Sequence, residues 1–254
     1  PTTNPVAATR LARLKAEGPL EGTFTASVSN GYVTSIALQP DGKVVLGGYF
    51  TTVGASTRNR IARVTSTGAL DTAFHPNAGG PVLAVGLQPD GKILVGGQFT
   101  TIGGGTRTYL ARLNADGTLD TGFNPAPDYW VQTLTLQADG KILIGGNFTT
   151  VTGDPNRWRI ARIHADGTLD TGFNARANAF VYGLAVQPDG AILAAGYFTQ
   201  IGVSPVARQS FARLLNDGAT QTLDAPSASQ VLWSRGGAGP ELAAATFELS
   251  ADGG

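Results

Sequence analysis

The chain has 254 residues, and its 18 Lys and Arg residues are balanced by 18 Asp and Glu residues. A neutral chain lacks the basic footprint of a nucleic-acid-binding protein. The chain contains no cysteine, which excludes disulfides, thiol catalysis and cysteine-ligated metals. No apolar stretch is long enough to cross a bilayer. We therefore expect no metal, no cofactor, no nucleic-acid partner and no membrane insertion.

The N-terminal part of the chain precedes a series of long repeats. We interpret residues 1–9 as a linker, and residues 10–24, RLARLKAEGPLEGTF, contain two short strand-like runs. The stretch LQPDGKVVLGGYFTTVG then begins at Leu38 and recurs in close copies, so that its glutamine stands at Gln39, Gln88, Gln137 and Gln187. The spacings of 49, 49 and 50 residues indicate one structural unit used repeatedly.

Each unit contains four short runs bounded by turn residues. In the second unit a Pro-Asp-Gly turn, residues 89–91, joins the first two runs, and an Ala-Asp-Gly turn, residues 115–117, joins the last two. Both turn types favour tight hairpins. A repeated four-stranded antiparallel unit of this length predicts an all-β fold, a β-propeller in which each unit is one blade. In the second unit the four predicted strands are residues 82–88, 92–99, 108–114 and 118–123.

The chain ends predict a composite blade. Residues 10–24 supply only the third and fourth strands of a blade, and residues 25–223 supply four full blades. Residues 224–254, which include SQVLWSRGG and ELAAATFELSADGG, then provide a closing half-blade. We therefore expect residues 10–254 to form one domain of five blades, closed by the two termini so that no strand edge is left open.

A repeated arginine predicts a structural clamp. The arginine of each Ala-Arg motif lies eight residues before an acidic or amide residue, and the hairpin register places the two side by side. Since buried charges need partners, we interpret these arginines as clamps between blades rather than as an anion site. The pairs are Arg13 with Glu21, Arg63 with Asp71, Arg112 with Asp120, Arg162 with Asp170, and Arg213 with Gln221, with Asp224 as an alternative partner.

The connections between strands two and three and between successive blades differ from repeat to repeat, and both lie on one face of a propeller. We call this the variable face. Aromatic residues there are typical of binding surfaces, although they could instead fill the central channel. The candidate ligand-binding residues are Tyr32, Asp128, Tyr129, Trp130, Arg157, Trp158, Phe180 and Tyr182.

No catalytic constellation is present in the sequence. His75 and His164 fall in different parts of their repeats, and Asp128 and Asp154 are the aspartates that belong to no repeated position or turn. A sialidase-like glycosidase needs a distinct acid and nucleophile, and we find no such pair. We therefore expect no enzyme activity and no catalytic residue.

The motifs LQPDGKIL, GG, FT, ARL, DG and LDT followed by F resemble the bacterial delta-60 repeat family across about residues 10–223. The terminal SADGG is similar to an Asp-box turn. The resemblance implies a propeller and a secreted or cell-surface setting, with no assigned biochemical function. The lack of an initial Met and the low Lys content fit a piece of a longer secreted precursor.

Two functional hypotheses arise from these features. The first is a non-catalytic extracellular module that binds a glycan or a protein through the variable face. The second is a structural building block, in which the half-blade at one end completes the half-blade of a neighbouring copy.

Overall fold

A computed structural model describes residues 10–227 and 230–241, and within them it contains strands but no helix. No helix in this described part is therefore long and apolar enough to span a membrane. The strands are β1 Val28–Ser29, β2 Val33–Leu38, β3 Val44–Gly48, β4 Thr52–Val53, β5 Ser56–Thr57, β6 Ile61–Val64, β7 Val82–Leu87, β8 Ile93–Gly97, β9 Thr101–Ile102, β10 Gly105–Thr106, β11 Leu110–Leu113, β12 Val131–Leu136, β13 Ile142–Gly146, β14 Ile160–Ile163, β15 Val181–Val186, β16 Ile192–Gly196, β17 Gln200–Ile201, β18 Val206–Ala207, β19 Phe211–Leu214, β20 Ala219–Ser227 and β21 Gln230–Gly237.

Four antiparallel sheets, each of three longer strands, repeat along the described residues, while the two-residue strands β1, β4 and β5 form a further small sheet. Blade I is β2, β3 and β6, blade II is β7, β8 and β11, blade III is β12, β13 and β14, and blade IV is β15, β16 and β19. A short fourth strand adds one bridge to each of the first three blades, namely Val64 to Leu70, Leu113 to Leu119 and Ile163 to Leu169. The predicted all-β chain of repeated antiparallel blades is confirmed.

The predicted hairpin turn forms at the start of each second strand. In blade II the amide of Gln88 donates to the carbonyl of Lys92, and the amide of Gly91 donates back to Gln88, both at 2.9 Å. Gly91 has a φ of 82°, a left-handed value that glycine adopts without strain. The turn therefore fixes the register in which the first two strands pair.

The hydrophobic core lies between neighbouring blades rather than inside any one of them. One cluster joins Ile61 and Phe74 of blade I to Val82 and Leu113 of blade II, all with no solvent exposure. Close approach of the sheets requires a residue without a Cβ, because a methyl group on Gly47, Gly96 or Gly145 would lie only 2.5 to 2.9 Å from Val82, Val131 or Val181. The paired glycines of the repeat are therefore packing residues.

The two ends of the array depart from the repeat. Residues 10–24 form a hairpin, closed by the bridge between Leu14 and Leu20, and its arginine donates to the carbonyl of Ser66 in blade I. We call this hairpin the half-blade. The half-blade thus packs on blade I, and its predicted role as the outer two strands of a composite blade stays a prediction.

At the other end, β20 does not add to blade IV as its predicted fourth strand but pairs with β21. The sequence explains this difference, because the fourth repeat has Gln221 and Asp224 where the other repeats have the clamp aspartate and a phenylalanine. We call β20 and β21 the arm. Residues 230–237, predicted as a closing strand, thus belong to the arm. Residues 1–9 and 242–254 lie outside the described residues, so the predicted linker and the rest of the closing half-blade stay predictions.

Candidate functional site

The repeated arginines contact their predicted acidic partners in four places. The Nε atom of each arginine donates to the carboxylate eight residues later, at 2.6 Å for Arg13 and Glu21, 2.9 Å for Arg63 and Asp71, and 2.8 Å both for Arg112 and Asp120 and for Arg162 and Asp170. The Nη1 atom of the same arginine reaches the next repeat. Its acceptors there are the carbonyls of Ser66, Ala115 and Ala165 and the side chain of Asn216. Each clamp thus ties one blade to the following one.

Sequence reasoning missed two further members of the clamp. A phenylalanine lies beneath each guanidinium. The Cζ atoms of Arg63 and Arg112 are each 4.5 Å from the ring centres of Phe74 and Phe123, respectively. A lysine from the Pro-Asp-Gly-Lys turn also reaches the acid, and the distances are 3.8 Å from Lys43 to Asp71, 2.8 Å from Lys92 to Asp120 and 3.3 Å from Lys141 to Asp170. Both residues recur at fixed positions in the repeat, so the sequence carried their signal.

Electrostatics follows from this geometry. The hydrogen bond from Lys92, together with Arg112, lowers the pKa of Asp120 to about 2 despite its partial burial. In the half-blade, Arg13 and Thr23 lower the pKa of Glu21 to about 2. These carboxylates are therefore ionised, and their charge is used by the clamp rather than left for a ligand.

The fifth clamp differs from the prediction. Arg213 donates to the side chains of Gln187 and Asp189 in its own blade. The predicted partner Gln221 lies in the arm, opposite Arg235 on β21. The pairing of Arg213 with Gln221 was wrong because β20 leaves blade IV, and the same departure removes the alternative partner, Asp224, which lies opposite Leu232.

The candidate aromatic residues of the variable face form three clusters. In blade I the rings of Tyr32 and Tyr49 stack at 4.6 Å. In blade III Tyr129 stacks on Trp130 at 4.8 Å and also contacts Tyr109 at 5.9 Å. In blade IV Tyr182 lies between two rings, 4.4 Å from Phe180 and 4.8 Å from Tyr197.

Tyr49 and Tyr197, two cluster residues that were not among the candidates, could have been predicted from the strand register. The amides of Tyr49 and Tyr197 donate to the carbonyls of Tyr32 and Phe180, both at 2.8 Å, so each ring lies beside the predicted one across a strand pair. Burial raises the pKa of Tyr49, and the nearby Tyr32 adds to this rise. A hydrogen bond with Tyr197 raises the pKa of Tyr182. The phenols of Tyr49 and Tyr182 are therefore neutral, and each lies beside a second tyrosine of its cluster.

The charged candidates have structural partners. Asp128 accepts hydrogen bonds from the amides of Thr149 and Thr150 at 2.7 and 2.9 Å and from the hydroxyl of Thr149. Burial acts to raise the pKa of Asp128, but these hydrogen bonds lower it below its usual value. Asp154 likewise accepts from the amide of Asn156 and pairs with Arg157 at 3.3 Å. Asp128 and Asp154 therefore both stabilise the conformation of the loops in which they lie.

Arg157 is 4% exposed, which corrects its assignment to a ligand-binding rim. Its guanidinium donates to the carbonyls of Asn156 and Thr171. Arg58 and Arg107, at the equivalent positions, donate to the carbonyls of Thr72 and Thr121. These arginines hold the connection between strands two and three to the end of the same blade. The arginine recurs at one position of the repeat, but its backbone acceptors cannot be read from the sequence.

Trp158 belongs to a separate place on the molecule. Its indole donates to the carbonyl of Pro155 at 2.9 Å, and Arg176 stacks 5.5 Å from its ring centre. It lines a small cleft of about 110 Å³ between blades III and IV with Arg176, Val203 and Pro205. Among the described residues, no ring contact joins Trp158 to the three aromatic clusters.

Two larger cavities lie away from the aromatic clusters. One of about 720 Å³ opens between blades I and II and is lined by Arg60, His75, Asn77, Thr101 and Asp116 among others. The second, of about 520 Å³, is lined by the hairpin ends of blades I to III, including Leu38, Gln88 and Leu136, and by Glu241. Among residues 10–227 and 230–241, no group of three acidic or histidine residues is arranged to hold a metal ion.

The chain matches a family model described as a domain of unknown function (DUF5122) beta-propeller, in four repeats at residues 39–74, 88–123, 137–173 and 187–220. No functionally curated protein matches it. Among solved structures it is similar to a protein of unknown function from Bacteroides caccae, at 15% identity and a TM-score of 0.42 over 74% of this chain and 62% of that one. It is also similar to a catalytically inactive virginiamycin B lyase from Staphylococcus aureus, solved with quinupristin, at 18% identity and a TM-score of 0.43 over 74% and 59%. The chain thus spans about three fifths of the length of these two structures.

Proposed function

The chain belongs to the DUF5122 β-propeller family, and we propose that it is a non-catalytic recognition module that binds a glycan through the aromatic clusters of its variable face. The observation that carries this proposal is the exposure of ordered, mutually packed rings. Tyr129 is 39% exposed and stacks on Trp130, while Tyr182 is 44% exposed between Phe180 and Tyr197. Rigid amphipathic rings of this kind provide contact area at a low entropy cost.

The charge state of the face favours a neutral ligand. Arg157 is buried on backbone carbonyls, and Asp128 is held by three hydrogen bonds from Thr149 and Thr150. Burial lowers the pKa of Arg159, whose guanidinium donates to the carbonyl of Phe148. Because these charged groups already have partners within the chain, a ligand would be recognised by ring stacking and by neutral hydrogen bonds. Such contacts suit uncharged sugar rings better than an ionic partner.

The absence of catalysis is part of the proposal. Asp128 and Asp154, the two loop aspartates, are bound to backbone amides, a structural use that supports a binding role. The resemblance to delta-60 repeats supports a secreted or cell-surface location, which stays a prediction.

The experiment is a glycan array followed by titration of the hits with matched tryptophan variants. Trp130→Ala removes a ring from the blade III cluster, and we expect affinity to fall about tenfold or more, as for a hot-spot residue. Trp158→Ala removes an equally large ring from the separate cleft and should bind like the unaltered chain.

The outcomes separate the site from the ligand. Equal losses in both variants would show that the aromatic clusters are not the site. An array without hits would reject a glycan as the ligand, and a protein partner would then be the remaining form of the recognition hypothesis.

A further inference from the structure

Successive blades pack by one rule that can be read from three interfaces. In each blade, one apolar residue precedes the Ala-Arg motif and another follows it. The residue before the motif in one blade shares a core with the residue after the motif in the next blade. The pairs are Ile61 with Leu113, Leu110 with Ile163, and Ile160 with Leu214. We call the side that carries the residue before Ala-Arg, such as Ile61, the receiving side of a blade. The opposite side, which carries the residue after the arginine, such as Leu113, is the incoming side.

The same positions at the two ends of the array are uncovered. Phe211 of blade IV takes the place of Ile61, Leu110 and Ile160, which have no exposure, but is itself 56% exposed. Leu14 of the half-blade takes the place of Leu113 and Ile163, also without exposure, but is 64% exposed. The chain therefore carries one receiving side and one incoming side that its described residues do not cover.

The clamp arginine at the receiving end is also without its usual neighbour. Arg162 of blade III is 5% exposed and donates to Asn216 of the next repeat. Arg213 is 49% exposed and turns back to Gln187 and Asp189 of its own blade. In the half-blade, the residue that corresponds to the acceptors Ser66, Ala115 and Ala165 is Ala16.

We propose that the Phe211 side of blade IV in one copy docks on the half-blade of a second copy, so that blade-to-blade packing continues from chain to chain. Phe211 then covers Leu14 of the second copy, and Arg213 reaches the backbone at Ala16. The occupant is a second copy because the half-blade has the residues that the Phe211 side requires at the required positions. Leu14 and Ala16 follow Arg13 by one and three residues, as Leu113 and Ala115 follow Arg112. The contact joins two different surfaces, so it is heterologous and adds copies head to tail.

The experiment measures mass by light scattering across a concentration series. The unaltered chain should rise in mass with concentration from the 26.1 kDa of one chain. Leu14→Glu blocks one surface and Phe211→Glu the other, so each variant alone should stay a monomer. An equimolar mixture retains one intact surface of each kind and should form a heterodimer of about 52 kDa, twice the 26.1 kDa of one chain.

The matched control is Val203→Glu, because Val203 is 57% exposed in the same blade but lines the small cleft beside Trp158. This variant should associate like the unaltered chain. All three substituted residues are exposed, and the thermal midpoint of each variant confirms its folding. A monomeric unaltered chain at every concentration would overturn the proposal, since the chain would then cover both surfaces itself. A mixture that stays monomeric would overturn it equally.

Discussion

The interior of the array and its two ends use the same motif in different surroundings. Arg162 and Arg213 follow the same Ala-Arg pattern, yet the first is buried in a clamp that spans two blades and the second lies half exposed against its own blade. Ile160 and Phe211 show the same contrast in apolar packing. The repeat therefore specifies a strand and its turns locally, whereas burial of the clamp depends on the next blade being present.

The largest expected contrast is in the clamp itself. Arg112→Ala leaves Asp120 without its arginine partner in a nearly closed interface, and we expect the free energy of unfolding to fall by about 3–5 kcal/mol. Arg213→Ala removes an exposed ion pair and should cost at most about 1 kcal/mol. Urea unfolding of the two variants measures both values, and equal losses would show that the interior clamp gains nothing from its burial.

A second contrast tests close approach between blades. A Cβ on Gly96 would lie 2.8 Å from Val131 of the next blade, so Gly96→Ala should cost about 1–3 kcal/mol through overpacking. Gly183 lies in a strand of blade IV, and a Cβ there meets no atom within 4 Å. Gly183→Ala should therefore be neutral or stabilise the chain by up to about 1 kcal/mol. Thermal midpoints of the two variants give the comparison.

A third contrast is in the pH dependence of stability. The folded chain lowers the pKa of Asp120 to about 2 from an ordinary value of 3.8, so its contribution is present above pH 4 and is lost as the pH falls through 2. Asp120→Asn should flatten the fall of the thermal midpoint between pH 4 and pH 2.

The half-blade provides the matched control for this acid transition. Arg13 lowers the pKa of Glu21 to about 2 as well, but the Arg13 side chain is 41% exposed. Salt screens exposed pairs more strongly than partly buried ones. The effect of Glu21→Gln on the acid transition should therefore shrink in 1 M salt, whereas that of Asp120→Asn should persist. The same salt response in both variants would contradict this difference in burial.

Much of the fold is predictable because it is local. The Pro-Asp-Gly and Ala-Asp-Gly turns specify hairpins, and the hairpin register places each arginine beside the residue eight positions later. The departure of β20 also had a signal, since Gln221 and Asp224 replace the aspartate and phenylalanine that hold the fourth strand elsewhere. That signal was a break in the pattern rather than the pattern itself.

The candidate site was harder to predict because the groups that its side chains contact are either distant in the sequence or backbone groups, which no residue type marks. Arg157 is typical of a charged rim in sequence, but its acceptors are carbonyls, which any residue provides. Trp158 and Trp130 are both aromatic residues in connections of one repeat, yet Trp158 lines the small cleft between blades III and IV and Trp130 belongs to a ring cluster. Only the path of the connections in space separates them.

The smallest contrast concerns the lysine of the turn. The ammonium group of Lys92 lies 2.8 Å from Asp120, and the lysine side chain is 33% exposed. Lys92→Ala should therefore cost about 0.5–1 kcal/mol, the range of partly exposed ion pairs. Blade IV has Ala191 at this position, and its repeat has no clamp acid, since Gln221 replaces the aspartate and lies in the arm. Ala191→Lys should therefore change stability by no more than about 0.5 kcal/mol. A clear gain from Ala191→Lys in urea unfolding would mean that the lysine stabilises its turn directly, without a clamp to complete.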